Sequence, residues 1–149
     1  MEKLSTDIIV FLINLDRATK RLSEMEDRLS NIGIDYIRIS AIDGKFYKYS
    51  EKEYCEKLYK RCCGKKTSSG EIGCYLSHYK SIEYFIKSGK EYALILEDDA
   101  VFNSDFVKIL NKLVSISYFW DFVKFNYFMK YCFSHKKFTI FRYTFENLC

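Results

Sequence analysis

The chain has 149 residues, of which 48% are hydrophobic and 30% charged, with a net charge of +4; this describes one globular domain with a real core and excludes a disordered chain. Lys and Arg are spread along the sequence rather than clustered, so nucleic acid is not an expected partner, while the mild positive balance suits an anionic substrate or an anionic membrane surface. Six cysteines would suit a disulfide framework in an exported protein, but Met1-Glu2-Lys3-Leu4 is not a basic leader and Ile8–Ile13 is too short to span a membrane, so free thiols in a reducing cytoplasm are expected.

Ile8–Leu15 is β-rich and apolar at both alternating sets of positions, as in a central parallel strand. Asp16 is placed to cap a helix in which Leu22, Met25, Leu29 and Ile32 recur at helical spacing, and Gly33 is its expected stop. The polar face of that helix carries Arg17, Lys20, Arg21, Glu24 and Arg28; Arg17 and Arg21 are four apart and share a side. Tyr36–Ser40 reads as a second strand, closed by the turn Ala41-Ile42-Asp43-Gly44. Strand, helix and strand form a unit that implies a parallel pair with a right-handed crossover.

Lys45–Lys66 offers only a weak helical stripe of Tyr54, Leu58 and Cys62, and Lys65–Gly70 reads as a polar loop. Glu71–Ser88 is a helix by its period, with Ile72, Tyr75, Leu76, Tyr79, Ile82 and Ile86 as its apolar stripe and Gly89 as its end. Cys74 reads as a small packing residue. A zinc set of Cys62, Cys63, Cys74 and His78 lacks the two separated cysteine pairs of the usual structural site, so zinc is the weaker reading. After the next strand, Ser104 is placed to cap a helix with Phe106, Leu110 and Leu113 on its inner side. Trp120–Asn126 reads as a fourth strand. Residues 127–149 mix aromatics and Lys without a clean period, so the expected division is a domain over 1–126 and an aromatic, basic tail over 127–149.

The strand Ala93–Leu96 delivers three consecutive carboxylates, Glu97, Asp98 and Asp99, to a sheet edge. In open α/β sheets ligands bind outside the carboxyl ends of strands. Extended backbone sends Glu97 and Asp99 to one side and Asp98 to the other. Like charges this close repel unless a cation or strong donors compensate them, and a hard divalent metal prefers such oxygen ligands. A solvated acidic turn accounts for the acids alone equally well.

Three blocks occur in order: Ile13-Asn14-Leu15-Asp16-Arg17 with Arg21, then Gly70-Glu71-Ile72-Gly73-Cys74 with Leu76-Ser77-His78, then Leu96-Glu97-Asp98-Asp99. With Ala41-Ile42-Asp43-Gly44 and Trp120-Asp121, the pattern over Ile8–Asn126 resembles glycosyltransferase family 25, the lipooligosaccharide-biosynthesis family that is also related to collagen galactosyltransferases. The resemblance implies an α/β, GT-A-like (Rossmann-like) nucleotide-diphosphosugar transferase fold, with a mostly parallel central sheet and flanking helices. It implies transfer of a hexose, galactose foremost, from a UDP-sugar to a lipooligosaccharide or other glycan acceptor, with inversion and with a divalent metal, usually manganese (Mn2+). Asp99 would be the direct metal ligand, supported by Glu97. Asn14, Arg17, Arg21, Ala41, Asp43, Glu71, Ser77, His78 and Asp98 would bind the donor. No residue is assigned as the general base.

The family pattern continues past the Trp-Asp strand through a Gly-Tyr-Ile-Ser-like segment and a further acidic site, which 127–149 does not show. The expectation is therefore a homologue lacking the C-terminal part, with weak or no transferase activity, or a non-catalytic module that binds a nucleotide or a partner. Its expected place is the cytoplasm, with the tail associating peripherally with the inner membrane. A response-regulator receiver also carries a strand ending in Glu-Asp-Asp, but there the block lies near the domain start, which this chain does not reproduce.

Overall fold

The computed structural model describes residues 2–126 and 137–142. Its centre is β1 (Ile8–Asn14), whose side chains are buried at every position but Ile9, which is half-buried. A strand buried on both faces needs hydrogen-bonded neighbours on both edges. β1 has them: β2 (Ile37–Ser40) and β3 (Tyr92–Glu97) both pair with it in parallel. The registers Ile13↔Glu97 and Asn14↔Ser40 bring the carboxyl ends of all three strands to one edge.

Alternation along the strands divides the core. Val10, Leu12, Leu94 and Leu96 face α1 (Thr19–Asn31) and α4 (Phe106–Ser115), packing with Met25, Leu29, Phe106 and Leu110. Phe11, Ile13, Ala93 and Ile95 pack on the other face with Phe85 of α3 (Ser69–Ser88). A short helix, α2 (Glu56–Cys63), precedes α3 and buries none of its residues.

The sheet is mixed rather than mostly parallel. β5 (Lys137–Arg142) lies between β3 and β4 (Phe122–Asn126), antiparallel to both, in the order β2-β1-β3-β5-β4. Six residues of the segment read as an aperiodic tail thus belong to the sheet, with Thr139 and Ile140 buried. The strand was not legible because its pairing partners lie far away in sequence and supply the order that its own pattern lacks. The rest of 127–149 lies outside the described residues.

Three helix starts differ from expectation. α1 begins at Thr19 with Ala18 at its N-cap and no side-chain cap. Asp16 instead accepts hydrogen bonds from Arg38 and Ser40 of β2, and Arg38 holds its carboxyl below the ordinary range. α4 begins at Phe106, with Asp105 rather than Ser104 at the N-cap; the turn is closed by Phe106 N–H donating to the Asn103 carbonyl. The polar loop ends earlier than its composition suggests, because Ser68 and Glu71 form a reciprocal capping box that starts α3 at Ser69. Gly89 ends that helix in the left-handed region, as expected.

The buried stripe of α3 is also rotated from the expected one. Tyr75, Tyr79 and Ile86 are exposed, while Ile72, Gly73, Leu76, Ser77, Ser81 and Phe85 face inward. Ser77 and Ser81 each donate to the carbonyl four residues back, at 2.6 and 2.9 Å, so two hydroxyls are buried with their hydrogen bonds satisfied. Small side chains let the helix approach its neighbours closely, which a hydropathy stripe does not register. Among the described residues no helix is long and apolar enough to cross a membrane.

The capping box yields a stability prediction. Ser68→Ala should cost about 1 kcal/mol, read by denaturant unfolding. The Glu71 carboxylate accepts from Ser68 N–H and Lys65, which lower it from 4.5 to about 2. A group depressed in the folded state stabilises above its unfolded value and loses that effect as pH falls. Glu71→Ala should therefore lower the melting temperature at pH 7, and the gap to the parent protein should close between about pH 4.5 and pH 2.

Candidate functional site

A cleft of about 220 Å³ opens at the carboxyl ends of β1, β2 and β3. Leu15 and Arg17 after β1, Arg21 in α1, the 41–45 turn after β2, Cys74 and His78 of α3, and Glu97 and Asp98 ending β3 line it. This is where an open α/β sheet places its ligands.

The strand alternation separates the acids. Asp98 continues the Leu94–Leu96 side and meets α1; Glu97 continues the Ala93–Ile95 side and meets α3. Asp98 is nearly buried. It accepts from Asn14 Nδ2 at 2.7 Å and pairs with Arg21 at 3.3 Å, so donors compensate its charge. Arg28, seven residues and two turns after Arg21, donates to the Ala100 carbonyl at 3.0 Å. Ala100 N–H closes the acidic turn onto the Glu97 carbonyl. Two arginines of one helix face therefore grip the turn that carries the acids.

Asn14 lies beneath the cleft rather than on its wall, and is 1% exposed. Its Nδ2 donates to Asp98 and to the Ala18 carbonyl, while its Oδ1 accepts from Arg38. Both ends of its amide are therefore used in joining β1, β2 and β3. Arg38, not expected at the site, orients Asn14 and Asp16 together.

Glu97 Oε1 lies 3.2 Å from His78 Nε2 and 3.9 Å from Cys74 Sγ. Burial pulls the His78 imidazole down, but hydrogen bonds to Cys74 and Glu97 outweigh it and lift the group to about 9. Partial desolvation of its carboxyl, then the Glu97 and Asp98 charges, push Asp99 up. Asp99 is exposed and sits beside the cleft, not in its lining. With Asp98 paired to Arg21 and Glu97 to His78, Asp99 is the carboxylate on which repulsion from its acidic neighbours is left for a cation to relieve. Carboxylate oxygens suit a hard divalent metal.

Arg17 forms an ion pair with Asp43 across the cleft mouth. Ala41 and Asp43 lie in the lining, on a turn fixed by Ala41 N–H donating to the Asn14 carbonyl. Ser77 lines the cleft too, but its hydroxyl serves the fold: it accepts from Ile42 N–H at 2.8 Å and donates to the Gly73 carbonyl. Glu71 stands outside the cleft, in the capping box with Lys65. Sequence reasoning brought Arg17, Arg21, Ala41, Asp43, Ser77, His78, Glu97 and Asp98 to one place; it also set Glu71 there, which the cleft leaves outside, gave Cys74 only to packing or to the weaker zinc set, and did not name Lys45. The i,i+4 spacing of Cys74 and His78 was the available signal for Cys74.

The back of the cleft is a backbone crossing. A side chain at Gly44 would run into the Ser69 carbonyl, and one at Gly73 would meet the Ile42 carbonyl and lie 2.8 Å from Gly44 N. The obstructing atoms are backbone and cannot swing away. Gly73→Ala should therefore push the 41–45 turn off α3 and cost about 1–3 kcal/mol in urea unfolding; an unchanged midpoint would show that the crossing is looser than this geometry requires.

The sequence profile of glycosyltransferase family 25 (LPS biosynthesis protein) matches residues 7–148. A glycosyltransferase 25 family member of Anopheles gambiae is 34% identical over 116 residues, covering 70% of this chain and 18% of that protein. Human procollagen galactosyltransferase 2 is 33% identical over 110 residues, covering 70% of this chain and 18% of its own length. A rat protein described as probable inactive glycosyltransferase 25 family member 3 is 29% identical over 110 residues, covering 70% and 19%. The chain spans about a fifth of the length of these curated relatives. By the profile that covers nearly all of it, and by the blocks that its cleft brings together, the chain belongs to glycosyltransferase family 25.

Proposed function

We propose that this chain carries the donor-binding part of a GT-A-like hexosyltransferase. It would take a UDP-sugar and serve transfer of its hexose, with inversion, to a glycan acceptor such as lipooligosaccharide. The observation that carries the reading is the cleft itself, where Arg17, Arg21 and Lys45 face Glu97 and Asp98 at the carboxyl ends of three parallel strands. Basic side chains beside carboxylates suit a diphosphate that arrives with a divalent cation. The volume of about 220 Å³ is below the ~300–1,000 Å³ of whole-ligand pockets. The diphosphate portion would sit there, with the nucleoside and sugar extending outward.

Residues of this chain would act by position and charge. Arg17 would exchange Asp43 for a phosphate oxygen, since its guanidinium is more than half exposed. Arg21 would stay with Asp98, holding positive charge toward the leaving diphosphate. Glu97 and Asp99 would hold manganese or a similar hard cation, which supplies further charge to the departing diphosphate. None of the lining residues is assigned as the base for the acceptor hydroxyl.

A second reading is binding without turnover. It is favoured by the relative described as probable inactive. In either case membrane association at the cytoplasmic face would place the cleft near a lipid-linked acceptor.

Calorimetric titration with UDP-galactose and UDP-glucose, with and without Mn2+, tests the proposal. Manganese-dependent binding is expected, weakened about tenfold or more in Asp99→Ala, a loss of about 1.4 kcal/mol. Equal behaviour of parent and variant would remove the metal assignment. Transfer of labelled hexose to a lipooligosaccharide acceptor separates turnover from binding alone.

A further inference from the structure

The hard cation expected for a sugar nucleotide does not account for the other donors beside Glu97. Cys74 and His78 stand four residues apart on α3, so both side chains lie on one face of the helix. That face meets the end of β3, where Glu97 extends from the same side of the sheet. One ligand atom from each of Cys74, His78 and Glu97 falls within 4.8 Å of the other two.

We propose that Cys74, His78 and Glu97 form a site for a single zinc ion, its fourth coordination position open to the cleft. Zinc bonds of about 2.3 Å to sulfur and about 2.0–2.1 Å to nitrogen and oxygen, at tetrahedral angles, place sulfur about 3.5 Å and nitrogen about 3.3 Å from the oxygen. The observed separations from Glu97 Oε1 are 3.9 Å to Cys74 Sγ and 3.2 Å to His78 Nε2. Both separations from Glu97 thus lie within a few tenths of an ångström of those values, and the remaining pair of ligand atoms lies within 4.8 Å.

The donor set selects the metal. A thiolate with an imidazole and one carboxylate is borderline-soft and favours zinc over manganese or magnesium, which prefer oxygen alone. Asp99, the other expected ligand for a hard cation, is not part of this cluster. Three protein ligands facing an open cleft describe the site type that leaves a position for water or substrate. Both guanidiniums that line the cleft already have carboxylate partners, Arg21 with Asp98 and Arg17 with Asp43. Cys62 and Cys63, grouped with Cys74 and His78 in the sequence, are exposed on α2 and do not enter the cluster. The site does not depend on the nucleotide-sugar reading, because it requires only this chain and the ion.

Cobalt(II) is the probe, added to the reduced, metal-free full chain. One equivalent should produce visible bands of a tetrahedral ion and a near-ultraviolet thiolate-to-cobalt band, both abolished by one equivalent of zinc. Cys74→Ser should lose the thiolate band. His78→Gln and Glu97→Gln should keep it while binding zinc about tenfold or more weakly, as removal of ligand-shell groups does. The Cys62→Ser/Cys63→Ser double variant should match the parent protein, with circular dichroism confirming that every variant is folded. Absence of a thiolate band in the parent overturns the proposal. So does a band that survives Cys74→Ser or disappears in the double variant. Unchanged zinc affinity in both His78→Gln and Glu97→Gln also overturns it.

Discussion

The hydrogen bond from Asn14 to Asp98, 2.7 Å long and buried, is the constraint on which the cleft depends. It ties the ends of two parallel strands whose registers already place them side by side. A buried carboxylate is costly unless donors surround it. Asn14 supplies one and Arg21 another, while Arg38 holds the far end of the Asn14 amide. The geometry of three strand ends, one turn and the first turns of α1 thus follows from satisfying one buried acid. Loss of any donor leaves a polar group unpaired in a dry site, which costs more than the bond itself contributes.

Three consecutive acids might be expected to share one task. Strand alternation prevents it. Asp98 turns to the α1 side and is held by Arg21 and Asn14. Glu97 turns to the α3 side and meets His78 and Cys74. Asp99 follows the strand and stays exposed as a residue, its carboxyl pushed up by partial desolvation and by its acidic neighbours. Asp98 serves the fold, Glu97 stands between a soft-donor cluster and its acidic neighbour, and Asp99 is the acid most open to a hard cation. The period of two in extended backbone is the physical cause.

The opposite wall depends on small residues. Gly44 and Gly73 let two backbones cross where no Cβ could fit. Ser77 joins them by accepting from Ile42 N–H while donating to the Gly73 carbonyl. These residues bring the 41–45 turn, with Asp43 and Lys45, within reach of the acids on β3.

The sequence by itself determined the parallel β1-β2-β3 core, the helices between the strands, and most of the cleft. Apolar runs, helical periods and strand-end polar residues are local signals, and Arg17, Arg21, Asp43, His78, Glu97 and Asp98 all lie at element ends that such signals locate. The ordered blocks were enough to reach the family. Tertiary structure alone decided four things. It placed β5 between β3 and β4, because an antiparallel strand without its own period is specified by its partners. It turned the inner face of α3 from tyrosines to serines and glycine, because close approach rewards small size over hydropathy. It gave Asp16 to Arg38 rather than to a helix cap, and Glu71 to a capping box rather than to the cleft. It also set Cys74 and His78 against Glu97, because one helix face and one strand end meet only after the sheet has formed.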